Sequence, residues 1–322
     1  YWDEIEDGSY KLNEYRAGIY GSAELNNDKF WISPAIRMDN DINDYTTVKD
    51  SGSTNYTSIS PSLHAKYFLS NSFFMKGDIA RLMARPPFYL MIPIDKVKHK
   101  KQLIERGNPD LLPSKAWNLG LGVEKYFAKN SFVVVRGFYS QLRDVVESQE
   151  LGIDDVFGYR IFQSVNVDTA KVWGLDFSTR IQLLDQTKNK VTFWGNISRL
   201  GSEVRDPGTK QLRVLNEQPK WIANSSLDYL NTDLKIQCSV GVNFISERFI
   251  SATVDEGAFI EALVQAPFIQ WDARIKYFVN SNSSLFINAV NLFGETLDFS
   301  QGAVNESEII GRNIAIGVNL TF

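Results

Sequence analysis

The chain repeats one pattern: segments of about ten residues in which apolar and polar side chains strictly alternate. Between Pro267 and Val279, Ile269, Trp271, Ala273, Ile275, Tyr277 and Val279 alternate with Gln270, Asp272, Arg274 and Lys276. Successive strand side chains point to opposite faces, so the first set makes one face of a strand and the charges the other. The closing stretch GRNIAIGVNLTF, Gly311 to Phe322, does the same: Ile314, Ile316, Val318, Leu320 and Phe322 oppose Asn313, Ala315, Gly317, Asn319 and Thr321. In a soluble sandwich the apolar face would be a core; in a membrane barrel it meets lipid and the polar face lines a wet lumen. One strand does not separate these readings, so the number of strands and their connections must.

From Tyr10 the alternation recurs through Tyr10–Ala23, Phe30–Met38, Ile59–Tyr67, Phe73–Met83, Trp117–Phe127 and Phe132–Val145. It continues at Val172–Leu183, Val191–Val204, Trp221–Leu230, Leu234–Ile245, Pro267–Val279, Leu285–Phe293 and the last stretch. The first nine residues read as part of a loop, as does the polar stretch Asp44–Asn55, and Arg85–Ser114 reads as a loop far longer than a compact domain needs. Short turns at Asn26, Asn71, Lys129, Gln186, Thr232 and Asn282 alternate with long connections, one of them between Val145 and Val172. That asymmetry belongs to outer-membrane barrels, with short turns on the periplasmic side. A charge facing lipid at mid-depth costs roughly 2–4 kcal/mol, so the charged face lines water. Trp117, Trp173, Trp221, Tyr229, Trp271, Tyr277 and Phe322 fall near strand ends, as interface girdles do.

Composition removes several function classes. No run of about 18 apolar residues exists, so no transmembrane helix is expected, which leaves membrane-crossing strands open. The net charge of −4 gives no case for nucleic acid binding. The single cysteine, Cys238, rules out an internal disulfide and a multi-cysteine zinc site, and its place on an apolar face makes it a packing residue. Enzymatic chemistry has little footing: His64 and His99 are the only histidines, no paired metal-ligand spacing exists, and no GxSxG occurs. We therefore expect no enzyme, no metal site and no cofactor. DNDIND, Asp39 to Asp44, starts like a calcium loop but lacks the glycine at its sixth position, and reads as a solvated loop entrance. The run Lys96–Lys101, KVKHKK, sits in the longest loop beside Arg85, Phe88 and Tyr89. Clustered cations raise the local concentration of anions, so Arg85, Phe88, Tyr89, Lys98, His99 and Lys100 are the candidate ligand-binding residues. A solvated loop, or contact with anionic lipopolysaccharide, explains the same run. Aromatic and basic residues together also suit sugars.

The count comes to about 13 strands, all antiparallel. Single-chain bacterial barrels have even counts, and an odd one would start Tyr1 outside the cell, so the chain is expected to be the C-terminal part of a larger barrel. An extra strand at Val156–Val165 would make the count even but break the turn order. With that expectation the chain resembles the C-terminal barrel portion of TonB-dependent outer-membrane receptors. The resemblance is carried by SPSLHAKYFLSNSFFMKGDIARLMARPPF (Ser60 to Phe88), GNPDLLPSKAWNLGLGVEKYF (Gly107 to Phe127), FYSQLRDVV (Phe138 to Val146), NVDTAKVWGLDF (Asn166 to Phe177), NEQPKWIANSSLDY (Asn216 to Tyr229) and NLFGETLDF followed by the closing stretch. It implies a barrel of about 22 strands with a plug domain and a TonB-contacting segment, both missing from this chain. It also implies active uptake of a scarce ligand, such as a ferric chelate or an oligosaccharide, driven through TonB. Gly317, Leu320 and Phe322 match the signal by which the outer-membrane assembly machinery recognises its clients. The rival readings are a passive channel of about 14 strands and a soluble β-rich binding protein.

Overall fold

A computed structural model describes residues 4–5, 10–48, 50–99, 102–128, 130–206, 210–251, 254–255, 258–259 and 263–321. Thirteen long strands follow one another as an antiparallel meander. The first eight are β1 (Tyr10–Ser22), β2 (Phe30–Thr47), β3 (Ser51–Ser70), β4 (Phe73–Ala84), β5 (Ser114–Ala128), β6 (Ser131–Ile153), β7 (Arg160–Asp185) and β8 (Asn189–Arg205). The rest are β9 (Trp221–Asn231), β10 (Ile236–Ile245), β11 (Phe268–Phe278), β12 (Ser283–Val290) and β13 (Asn313–Leu320). Each pairs with its chain neighbour, and the sheet is open: among the described residues β1 pairs only with β2 and β13 only with β12.

The register sorts the two faces. Directly paired residues share a face, so Phe30↔Tyr67, Ile36↔Pro61 and Met38↔Ile59 extend into Leu63↔Ile79, Ile79↔Leu119, Leu119↔Tyr139 and Tyr139↔Trp173 as one continuous apolar surface. Among the described residues nothing covers it: Leu175 is 61% exposed and Ile316 78%. The opposite face carries Arg37, Asp39, Asp41, Lys76, Asp78, Glu124 and Arg136, largely joined in ion pairs. Near the short turns the Phe30 and Tyr67 rings meet at 5.1 Å. One step beyond Met38↔Ile59 the apolar face gives way to Asn40↔Thr57, whose side chains are hydrogen-bonded at 3.0 Å. The band between these limits is the height a tilted strand spans in a bilayer.

Strands β9 to β13 have 8 to 11 residues, about the length needed to cross. Strands β6 and β7 have 23 and 26 and continue far beyond the band on the side away from the short turns. There, among the described residues, lie the buried apolar clusters: Val97, Ile104 and Ile161, and a second of Val145, Val167, Ala170 and Val204.

Several expectations are corrected at that end. Asp44–Asn55 is not a loop: β2 runs to Thr47 and β3 starts at Ser51, paired throughout. The long connection between Val145 and Val172 is a paired hairpin closed by residues 154–159, so the alternation of short and long turns is not strict. Val156–Val165 is not an extra strand; Arg160 onward is the start of β7. Above the bilayer neither face has to be apolar, so a ladder persists there without the alternation that marks it. Within the expected opening loop, Glu4–Ile5 pairs with Lys96 and Val97, while Tyr1 lies outside the described residues. Arg85–Ser114 is not a bare loop either. It holds a 3-10 turn at Phe88–Leu90 and a hairpin of Asp95–Lys98 with Leu103–Arg106.

Candidate ligand vestibule

The connection from β4 to β5 folds back against the polar face and roofs it. Its first residue, Arg85, donates through Nε to Asp41 Oδ2 at 2.7 Å, and Arg16 Nε on β1 donates to the other oxygen at 2.6 Å. Asp41 is fully buried between them. Arg37 grips Asp39 through Nε at 2.8 Å and Nη2 at 2.6 Å. Within DNDIND, Asp39 and Asp41 therefore face inward as the wall side of an ion-pair lattice. The motif is strand, not a cation loop, and no cluster of three or more metal-ligating side chains occurs among the described residues.

Further along, Tyr56 of β3 donates to Leu111 O at 2.7 Å, and Met91, Ile92 and Leu111 of the connection are themselves buried. On the other side Asn108 Nδ2 donates to Ser164 O at 2.8 Å and Gln163 Nε2 to Gly107 O at 2.9 Å. The strand Leu103–Arg106 adds itself in parallel to Arg160–Gln163 of β7. The connection thus bridges β3 to β7. Gly107 permits this closure, because a Cβ there would stand 1.6 Å from the carbonyl oxygen of Ile92. Arg106 is tied to Asp95 at 2.7 and 2.9 Å, a hydrogen bond that raises its pKa against the opposing effect of burial.

Of the candidate residues, Arg85, Phe88, Tyr89, Lys98 and His99 belong to this one connection, where Arg85, Lys98 and His99 are already engaged. Tyr89 is exposed on the 3-10 turn beside Phe88, with Lys96 Nζ 4.9 Å from its ring centre. Lys98 is paired with Glu105 at 2.5 Å. His99 lies against Phe157 and Tyr159, with Nδ1 3.3 Å from the Tyr159 hydroxyl. Lys100 lies outside the described residues. Phe157 and Tyr159, stacked at 5.6 Å at the tip of the β6–β7 hairpin, were not singled out from sequence. Of the assembly residues, Leu320 sits on the apolar face, and Gly317 opposes Phe286, whose ring would stand 2.5 Å from a Cβ. Phe322 lies outside the described residues.

A second tie holds the connection between β8 and β9. Arg213 donates to Asp206 at 2.8 Å, to Glu147 of β6 at 2.9 Å and to Asn216 at 3.1 Å. Burial lowers its pKa, and the bonds to Asp206 and Glu147 more than reverse that, so the guanidinium stays charged.

A sheet with an uncovered apolar face, a charged inner face, short turns at one end and a folded roof at the other is the wall of an outer-membrane β-barrel. The family model for the TonB dependent receptor-like β-barrel matches residues 4–292, and the chain belongs to that family. Among solved structures, a copper transporter, OprC, superposes with a TM-score of 0.73 at 14% identity, covering 97% of this chain and 48% of its own. The ferric citrate transporter FecA gives 0.70 at 16%, over 97% and 46%. The FrpB iron transporter of Neisseria meningitidis gives 0.66 at 14%, over 98% and 47%. The chain spans about half the length of these structures. No curated protein matches it.

Proposed function

We propose that this chain is the barrel wall of a receptor that takes up a scarce ligand across the outer membrane, energised through TonB. The observation that carries the proposal is the roof: residues 85–99 and 102–113 fold inward over the polar face and are tied to β2, β3 and β7, as a mouth that captures ligand requires and a freely open pore does not. The ligand contacts assigned by this proposal are Arg85, Phe88, Tyr89, Lys98, His99 and Lys100, with Phe157 and Tyr159. Tyr89, Phe157 and Tyr159 offer ring faces, and the lysines offer positive charge. That combination fits an anionic chelate carrying aromatic groups, or a sugar. The similar structures transport copper, iron and ferric citrate, which supports a metal chelate over a sugar.

The test is growth of a deletion strain, complemented with the full-length receptor, on ferric citrate or ferric enterobactin as sole iron source. Growth that disappears when TonB is deleted supports the proposal. Growth that persists without TonB, with ion-conducting pores in planar bilayers, replaces it with a passive channel.

A further inference from the structure

The ion-pair lattice of the lumenal face passes over Arg180. Arg16, Arg37 and Arg136 are each bonded to a carboxylate. Arg180 lies on the same face of β7 as Asp176, which pairs with Arg136. Among the described residues it forms no ion pair, and its Nε is buried with no hydrogen-bond partner. A buried donor left unpaired is costly, more so on a charged group. Arg274 of β11 also lacks a carboxylate among the described residues, but it is exposed and water serves it.

Aromatic rings hold Arg180 in place. In the register Phe132↔Arg180↔Trp194 it stands between two of them. The rings meet edge to face at 6.3 Å, and the guanidinium carbon lies 4.6 Å from the centre of the Trp194 ring. A cation over an indole is attracted by the ring's quadrupole. With Nε shut in, the two terminal nitrogens are what the side chain has left to offer, and they form a planar fork that suits a carboxylate.

Arg180 and Trp194 line a cavity of about 360 Å³ with Asp185, Lys190, Thr192 and Asp228. The cavity also reaches Asn130 in the short turn between β5 and β6, so it lies at the end of the wall opposite the roof. Lys190 stands 3.5 Å from Asp185, and Asp228 accepts the Ser239 hydroxyl. Two cations against two carboxylates leave the cavity neutral. One further negative charge is therefore welcome at the unpaired guanidinium, while a second would meet Asp185 and Asp228.

We propose that this cavity is a second station for the transported ligand, taking a single carboxylate arm on Arg180 beside Trp194 and Thr192 after the ligand has left the mouth. The ligand is thereby a chelate that carries a carboxylate. The proposal rests on the reading of this chain as the wall of an uptake receptor. It is separate from the mouth, because the cavity lies near the short turns.

The test uses the full-length receptor, purified in nonionic detergent, and phenylglyoxal, a neutral reagent that modifies free guanidinium groups. Modification of Arg180 is read by mass spectrometry of its peptide, with benzoate, benzamide or inorganic phosphate added at equal ionic strength. Arg180 is expected to react in the absence of benzoate. At about ten times the midpoint concentration of benzoate it is expected to react about tenfold more slowly, since roughly one site in eleven is then free. Equal modification with and without benzoate overturns the site. Equal protection by benzamide overturns the negative charge as what is recognised, and equal protection by phosphate overturns the carboxylate. An Arg180 that is unreactive before benzoate is added is already covered by another part of the receptor, which overturns the transported ligand as occupant. None of these outcomes depends on TonB, so they leave the TonB dependence of growth to decide the transport reading separately. In cells, Arg180→Gln is expected to leave ferric citrate binding unchanged where TonB is deleted and to slow uptake about tenfold where it is present, the loss of one charge-assisted bond. Uptake at the native rate overturns the station. Should the variant fail to reach the outer membrane, the protection experiment on the native receptor decides alone.

Discussion

Replacing Arg213 with methionine should release the connection between β8 and β9 without unfolding the barrel. The side chain is 14% exposed, and its partners Glu147 and Asp206 are 6% and 9% exposed. Methionine fills much of the volume but leaves two carboxylates close together with no counter-charge. Removing one partner from a buried ion pair costs about 3–5 kcal/mol. At about 1.4 kcal/mol per factor of ten, local opening becomes roughly two to three and a half orders of magnitude more frequent. The assay is amide hydrogen exchange read by mass spectrometry on peptides covering residues 210–220, where Leu215 N–H is held by Ser202 Oγ at 2.9 Å. Peptides of β9 and β10 serve as the unaffected reference. Adding Glu147→Gln and Asp206→Asn to the variant should restore much of the lost protection at neutral pH, since removing all the charges avoids an uncompensated one. An Arg213→Met variant that exchanges like the native protein, or a triple variant that is no better protected than Arg213→Met alone, refutes the reasoning.

Two further perturbations probe the rest of the account. Gly107→Ala forces a Cβ into the Ile92 carbonyl, so the roof should detach and residues 85–113 should become cleavable by added protease on intact cells while the barrel stays folded; unchanged resistance would show that the closure is not tight. Leu175→Lys places a charge on the bilayer-facing row and should destabilise the folded barrel by roughly 2–4 kcal/mol in lipid vesicles, whereas Asp176→Asn on the inner face should change it little; equal effects would mean that the two faces have been exchanged.

The sequence made the membrane-crossing part legible because both faces of each strand have a duty there. Lipid demands Ile79, Leu119 and Leu175 on one side, and the wet lumen accepts Asp78, Arg136 and Asp176 on the other. Above the band that demand lapses. Asp44, Ser51, Ser53 and Thr54 look like loop residues although they lie in a paired ladder, and Val156–Val165, which reads at most as a separate strand, gives no sign that from Arg160 it is continuous with Val172–Leu183. The mouth was legible only as a list of side-chain types. Arg85 and Lys98 were visible as cations, but Asp41 lies 44 positions from Arg85, and Tyr159 lies 60 from His99. The tie from Arg213 to Glu147 crosses 66 positions. Pairing over such distances is fixed by strand register, which no local pattern records.

The claim on which the transport reading and the ligand mouth both stand is the orientation of this wall, and cysteine labelling of living cells tests it most directly. In a Cys238→Ser background of the full-length receptor, Val156→Cys marks the tip of the β6–β7 hairpin, where Val156 is 79% exposed. Thr187→Cys marks the short turn between β7 and β8. A membrane-impermeant maleimide should modify position 156 on intact cells, and position 187 only after the outer membrane is permeabilised. Labelling of position 187 on intact cells, with position 156 protected, would invert the wall and contradict the account.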